Sequence, residues 1–393
     1  MTMQYAMATN WDPELPAKLK GSSVSSLYGQ IWNDPLGGGR MALFLPRIGR
    51  EEAARFIAAA RENGIAFSYL ANGSCLDNSE FSKKGYRRVM EHLEWIAASG
   101  ADTITVTLPF LLELAKKHFP HLRVSVSSFA RVLNPYLARS WEDMGADRII
   151  LPEPLGRDFR MLAKIRESVG CELELIANHA CLYYCPLDLH HRNMVSHASQ
   201  RDHLCGGFAV DYCKLTCQRM KLEKPEELIR SRWIRPEDVG QYEKIGIDCL
   251  KLVERFRGTE SLLRILKAYE RRTSPDNLAR LLTLPQAGEY LQPNMDTLDR
   301  PDLIDPQAME QVVAVLREPF PDKVYIYNRE LAGFLDHFLT HDCSHSDCRE
   351  CGYCAAVAQR AVRIDPHWRQ EMLARFDAAI EILTAGKIAG EPS

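Results

Sequence analysis

The sequence predicts an α/β chain with a (β/α) barrel-like parallel core, a cysteine-rich insertion and a helical, cysteine-rich C-terminal extension. Three observations carry this reading. Short β-branched or apolar runs alternate with amphipathic helices between residues 40 and 180. Successive strands there begin roughly 20 to 38 residues apart, a spacing that requires helical crossovers and therefore a parallel sheet. Finally, twelve cysteines gather mostly in the second half, ten of them after residue 180. An open doubly wound sheet is the second choice. No GxGxxG or GxxxxGK[ST] follows any strand, which argues against a nucleotide-binding version of it.

The elements follow in order. Arg50 to Asn63 (REEAARFIAAAREN) has helix formers at helical spacing and Gly64 as a stop signal. Ile65 to Leu70 is a strand-type run, and Glu80 to Ser99 an amphipathic helix ending at Gly100. Thr103 to Thr107 (TITVT) is β-branched, and Pro109 to His118 opens a helix with proline in its first turn. Arg123 to Ser128 alternates at period two, Pro135 to Met144 is helical, and Arg148 to Leu151 (RIIL) is a strand. Phe159 to Ser168 is a helix and Glu172 to Ala177 (ELELIA) a strand. Gly100-Ala101-Asp102 and Gly145-Ala146-Asp147 repeat one phrase at two helix-to-strand junctions, where glycine tolerates a left-handed backbone.

After Asn178 the rhythm breaks. Residues 178 to 235 are rich in His, Cys and Arg and precede the strand Ile247 to Val253 (IDCLKLV). In a barrel such an insertion falls on the catalytic face. Residues 258 to 282 read as helical, the chain is proline-rich through Pro306, and the tail from Arg329 is helical apart from a cysteine run at 343 to 354. The domain expectation is a core over 1–257 carrying a metal-binding insertion at 178–235, then a mostly helical region over 258–393.

Composition narrows the function classes. A formal net charge of −3 gives no broad grip on nucleic acid or an anionic membrane, and leaves only a local basic patch open. No run approaches the roughly 20 apolar residues of a membrane span. The first twenty residues include Asp12 and Glu14 and lack an apolar signal core, so a cytoplasmic location is expected. Thiols clustered in such a chain point to metal or redox chemistry rather than to a disulfide framework.

Two thiol pairs, Cys181-x3-Cys185 and Cys213-x3-Cys217, can surround one tetrahedral ion or a cubane iron–sulfur cluster, because each short loop delivers both sulfurs to one centre. Zinc ribbons more often place two residues between paired cysteines, so the spacing leans towards iron–sulfur. Cys75 follows the Ile65 to Leu70 strand and would also face the catalytic end, as a fifth thiol. Cys171 and Cys249 lie in or beside strands and read as core, and Cys205 sits in a glycine-bearing loop. The tail carries Cys343-x4-Cys348-x2-Cys351-x2-Cys354 with His341 and His345 close by. That density predicts a second metal centre, either iron–sulfur or zinc.

The remaining candidates are single residues. His190, His191 and His197 read as loop histidines able to ligate metal, shuttle protons or bind substrate, with His191 taken forward. Glu153, just after RIIL, has the barrel position of a catalytic carboxylate. Lys251 lies inside an apolar strand and needs a counter-charge, for which Glu254 is the candidate. Arg255 is placed to clamp an anionic substrate.

The segments Asn178 to His197 (NHACLYYCPLDLHHRNMVSH), Trp233 to Asp238 (WIRPED) and Ile245 to Val253 (IGIDCLKLV) together resemble peptidase family U32, the collagenase-like proteins, over about residues 65 to 257. The resemblance implies a parallel β/α barrel and, by the branch related to oxygen-independent hydroxylases, a 4Fe–4S cluster on four cysteines. It implies Cys213 and Cys217 as ligands, Cys181 or Cys185 as another, and Cys75 as the match to an early cysteine of one branch. The set of 181, 185, 213 and 217 is preferred. The family's N-terminal apolar strand with a Pro-Ala-Gly type turn is absent, and the cysteine-rich tail lies outside the shared core.

The leading functional expectation is an iron–sulfur hydroxylase or related redox enzyme acting on a small organic or nucleobase substrate, with a redox partner or a paralogous subunit. The alternatives are a metal-dependent peptidase and a non-catalytic cluster-bearing subunit of a heteromer. No G-x-S-x-G and no H-E-x-x-H is present to support a hydrolase.

Overall fold

The computed structural model describes residues 2–32, 34–200, 203, 209–255, 257–285, 305–320 and 322–387. Cys205 and most of the proline-rich stretch before Pro306 lie outside the described residues. Eight parallel strands close into a (β/α)8 barrel. They are β1 (Gln4–Ala8), β2 (Val24–Gly29), β3 (Ala66–Ala71), β4 (Thr103–Val106), β5 (Arg123–Val126), β6 (Arg148–Leu151), β7 (Glu172–Ile176) and β8 (Cys249–Leu252). Pairing of Gln4 with Cys249 and of Met7 with Leu252 closes the ring.

The strand sequences explain their faces. Ile104, Val106, Val124, Val126, Leu173, Leu175, Leu250 and Leu252 belong to the large core shared with the outer helices. The alternate residues Thr105, Ser125, Glu174 and Lys251 are buried on the inner face, as the period-two alternation of a strand requires. This barrel is therefore apolar outside, under its helices, and partly polar within. Inside it, Glu174 binds Lys251 at 3.0 Å and Arg148 at 3.1 Å, and the Lys251 ammonium lies 3.7 Å from the centre of the Tyr28 ring. The counter-charge of Lys251 is thus Glu174 on the neighbouring strand. Glu254 instead pairs with Arg40 at 2.5 Å, because it lies beyond the strand end, on the rim.

The outer layer runs α1 (Leu15–Lys18), α2 (Arg50–Glu62), α3 (Lys83–Ala98), α4 (Pro109–His118), α5 (Pro135–Asp143) and α6 (Phe159–Ser168). The insertion folds as α7 (Asp188–His197), α8 (Tyr212–Glu223) and α9 (Glu226–Arg230), while α10 (Val239–Ile245) precedes β8 and α11 (Thr259–Arg271) follows it. Gly100 and Gly145 have φ of +85° and +106°, the left-handed turn expected of them. The aspartate of each repeated phrase bonds back to a strand. Asp102 accepts the Phe67 amide at 2.9 Å and Asp147 the Val124 amide at 2.6 Å. Asp248 accepts the Leu173 amide in the same way, at 2.8 Å, so Gly246-Ile247-Asp248 is a third copy. Each carboxylate occupies a strand amide that would otherwise lack a partner.

The C-terminal region comprises α12 (Pro306–Leu316), β9 (Val324–Ile326), α13 (Asp336–Thr340), α14 (Cys348–Cys351), α15 (Tyr353–Ala361), β10 (Val362–Ile364) and α16 (Pro366–Thr384). β9 and β10 form an antiparallel pair. The cysteine run is itself partly helical, in α14 and α15, because Asp347 caps α14 by accepting the Arg349 amide. Residues 272–282 leave the helix after Arg271 and hold only a short 3₁₀ turn, Leu278–Leu281. No helix among the described residues is long and apolar enough to cross a membrane.

Candidate functional site

The loops at the C-terminal ends of the strands enclose a cavity of about 130 Å³. Its wall includes Glu153 after β6, His179 and Cys181 after β7, Arg192 and His191 on α7, Lys251 from β8, and Glu254 and Arg255 beyond it. Asn72, Ser127 and Phe129 line the opposite side. A smaller adjoining cavity shares His179 and Cys181 and is lined further by Asp211, Cys217 and Lys221.

His190, His191 and His197 lie on α7, a helix where the sequence suggests a loop. Its sequence, DLHHRNMVSH, has a weak apolar stripe, so local periodicity does not announce it. Ion pairs fix it instead. Arg192 binds Asp188 one turn earlier at 2.6 Å and Glu153 at 2.9 Å, Arg131 pairs with Asp188, and the Arg192 guanidinium lies 4.6 Å from the centre of the Phe129 ring. Two cationic centres flanking Glu153 hold it ionised. Burial opposes its charge, but Arg192, then His179, keep its carboxyl far below the ordinary range.

His179 escapes a reading of the sequence alone, though it sits just past a strand end, as Glu153 does. Its Nδ1 lies 2.8 Å from Glu153 Oε1 and its Nε2 3.5 Å from Cys181 Sγ. Burial works against the imidazolium, yet the Cys181 sulfur and the Glu153 carboxylate together carry its pKa up to about 10. Thiol, imidazole and carboxylate thus form one chain, and a ligand atom from each lies within 4.8 Å of the other two. His191 binds Asp211 at 3.4 Å. Burial disfavours the Asp211 carboxylate, but His191 and the Lys214 amide hold it below its usual range.

Asp211 also caps α8, accepting the Lys214 amide at 2.8 Å, and so fixes the helix that presents Cys213 and Cys217 one turn apart. Both pairs of insertion thiols meet at this point. Burial pushes Cys213 up to about 12, with Asp211, Cys217 and Cys185 adding to it. Burial likewise pushes Cys217 up to about 11; the Lys221 ammonium counters this, while Cys181 and Cys185 add to it. Cys185 is raised by burial and by Cys181. Lys221 is almost fully buried beside them and has no local signal in the sequence. Burial raises three of these thiols, Cys185, Cys213 and Cys217, and a positively charged metal centre beside them would convert them to thiolates.

Arg255 is buried, donates to Gln30 Oε1 at 2.9 Å, and is lowered to about 9 by burial and by Arg40. Cys75 has Asp77 and His197 within ligand range, and its carbonyl accepts Gln200 Nε2 at 2.6 Å. Cys249 is buried inside the barrel and Cys171 packs against the core, as expected of both. In the tail, Cys351 approaches His337 and His341, whereas Cys343 lies against the Arg232 guanidinium and Cys354 near Arg157 and Arg232.

The family described as Peptidase family U32 matches residues 47–279. An uncharacterized protease of Methanocaldococcus jannaschii is 27% identical over 351 residues, which span 88% of this chain and 91% of that protein. The tRNA hydroxylation protein P of Escherichia coli is 29% identical over 94 residues, 23% of this chain and 20% of its own length. A solved U32 peptidase structure superposes with a TM-score of 0.49 at 22% identity, covering 64% of this chain and 93% of the other.

Proposed function

The chain belongs to peptidase family U32, and from that premise we propose that it is an oxygen-independent hydroxylase acting on a small organic or nucleobase substrate. In this reading a 4Fe–4S cluster is bound by Cys181, Cys185, Cys213 and Cys217. The observation that carries the proposal is that Cys217 has Cys181, Cys185 and Lys221 around it and Cys213 has Cys185 and Cys217, beside a cavity lined by Cys181, Cys217 and Lys221. A cubane cluster has four irons to ligate, one sulfur each, and is commonly held by four thiolates. The partial similarity to a protein named for tRNA hydroxylation is consistent with this chemistry.

When bound, the cluster would supply an electron-transfer centre beside the substrate cavity. The protein's own groups do the rest. Arg255 offers a buried cation for an anionic or electron-rich group. Phe129, backed by Arg192, offers a face on which a planar ring can stack. His179, held between Cys181 and Glu153, can carry a proton at Nε2 on the cavity side. The test is iron and acid-labile sulfide content with a visible spectrum on protein purified without oxygen. About four of each per chain, lost when any one of the four cysteines becomes serine, is the expected result. Zinc without sulfide, or iron that survives the Cys213→Ser change, would refute it.

A second reading has its own observation. The chain Cys181–His179–Glu153 has the order of a nucleophile, a base and an orienting carboxylate, the arrangement used for acyl transfer. It would make the protein a thiol hydrolase, and it excludes Cys181 as a cluster ligand. Peptide or ester hydrolysis lost in Cys181→Ser but kept in Cys213→Ser and Cys217→Ser would select it.

A further inference from the structure

The cysteine-rich tail reads differently in three dimensions than along the sequence. His337 and His341 are four residues apart on α13 and its C-terminal cap, so their rings fall on one face and stack with centroids 4.5 Å apart. His337 Nε2 lies 3.7 Å from Cys351 Sγ. Ligand atoms of His337, His341 and Cys351 all lie within 4.8 Å of one another. Cys348 stands one turn before Cys351 on α14, and Gly352 then turns the chain away with φ of +62°. The Nε2 atom of His341 is buried and has no hydrogen-bond partner, a desolvated nitrogen that normally finds one.

We propose that His337, His341 and Cys351 hold a zinc ion and that Cys348, one turn earlier on α14, closes the tetrahedron as fourth ligand, at a site separate from the thiols of the barrel mouth. The spacings are His-x3-His and Cys-x2-Cys, those of Cys2His2 sites. The distances fit zinc. With Zn–N near 2.0–2.1 Å and Zn–S near 2.3 Å, tetrahedral ligand atoms stand about 3.3–3.8 Å apart, and the observed 3.7 Å from His337 to Cys351 falls in that range. A two-iron cluster with two cysteines and two histidines would place the histidines on a different iron from the cysteines. That arrangement separates His337 from Cys351, which here are in contact distance. Cys343 lies against Arg232 and Cys354 near Arg157, Arg232 and Cys343, whereas Cys348, near Arg230, is the thiol that shares α14 with Cys351.

Four protein ligands leave no open position, so the site is structural. What it secures is visible. His337 stacks on Tyr353 at 3.9 Å, Tyr353 donates to the Phe334 carbonyl at 2.9 Å, and Phe334 stacks on Trp233 at 5.6 Å. The zinc would thereby pin the tail helices to the segment that follows α9.

The test starts from the full-length protein. Elemental analysis should find about one zinc per chain, lost in the Cys348→Ala/Cys351→Ala double variant and retained in Cys343→Ala/Cys354→Ala. Should the first variant fail to fold, differential alkylation of the unaltered protein gives the answer. Cys348 and Cys351 should be protected with zinc bound and become the newly labelled thiols after chelation. Zinc retained by the first double variant, zinc lost from a folded second one, or labelling of Cys348 and Cys351 that ignores the chelator would each overturn the proposal. So would loss of iron and sulfide, rather than zinc, from the first variant.

Discussion

Replacing Glu174 with glutamine would leave a buried cation, Lys251, without its counter-charge inside the barrel. Glu174 is buried and accepts from Lys251 at 3.0 Å and Arg148 at 3.1 Å. Arg148 has a second anion, Glu172, at 2.6 Å and is largely compensated. Lys251 keeps only the Tyr28 ring among its described contacts. Removing one partner of a buried pair costs about 3–5 kcal/mol. The alternative, folding with Lys251 neutral at pH 7, costs about 4–5 kcal/mol, because the ammonium must be deprotonated more than three pH units below its free value. The two routes agree, so Glu174→Gln should destabilise by about 3–4 kcal/mol, the amide retaining part of the hydrogen bonding. Urea unfolding followed by tryptophan fluorescence measures the loss, and Glu174→Gln/Lys251→Met should recover most of it. A deficit below about 1 kcal/mol, or a double variant no better than the single, would refute the assignment of Glu174 as the counter-charge of Lys251.

Three further outcomes follow from the described contacts. Cys217→Ser should abolish iron binding while Cys171→Ser, at a thiol that packs against the core, should leave the iron content of anaerobically purified protein unchanged. Arg157 donates to the carbonyls of Trp233 and Ile229 at 2.7–3.2 Å and lies 4.2 Å from the centre of the Trp233 ring; Arg157→Met should therefore cost about 2–4 kcal/mol in denaturant unfolding, through buried carbonyls left without donors. Asp211 titrates below its ordinary value, so it stabilises the fold above its unfolded pKa and loses that contribution as pH falls through the folded one. Asp211→Asn should accordingly flatten the acid limb of melting temperature against pH, while the amide still caps α8.

What is legible in the sequence is whatever has a local cause. Helices α4 and α5 begin at Pro109 and Pro135, where proline fits the first turn. β4, β5 and β7 alternate because helices cover one of their faces. β1 (QYAMA) and β2 (VSSLYG) escape such a reading: their inner positions hold Ala6, Ala8 and Ser26, small residues that leave no strong alternation. The thiol pairs are legible from spacing, because a chelating loop is a local object. The groups around them are not. Lys221 reaches the thiols through the packing of α8, and the true partner of Lys251 lies 77 residues away along the chain, on an adjacent strand. Glu254, three residues on, is the natural choice from sequence, yet it faces the rim and Arg40.

Cys181 is where the competing chemistries meet. It lines the substrate cavity, ends the chain through His179 to Glu153, and neighbours Cys185 and Cys217. A sulfur that ligates iron is a thiolate whose charge is drawn to the metal, so it is not the free nucleophile that attacks a carbonyl. If it serves a cluster, His179 must hydrogen-bond to a ligand sulfur, and such bonds tune the potential of iron–sulfur centres. His179→Ala would then leave four irons in place and shift the reduction potential. If Cys181 is a nucleophile, the same substitution removes its base and should lower hydrolysis by about 10²–10⁴-fold without touching metal content. One histidine, read by potentiometry and by hydrolytic rate, thus separates the two chemistries that the barrel mouth can support.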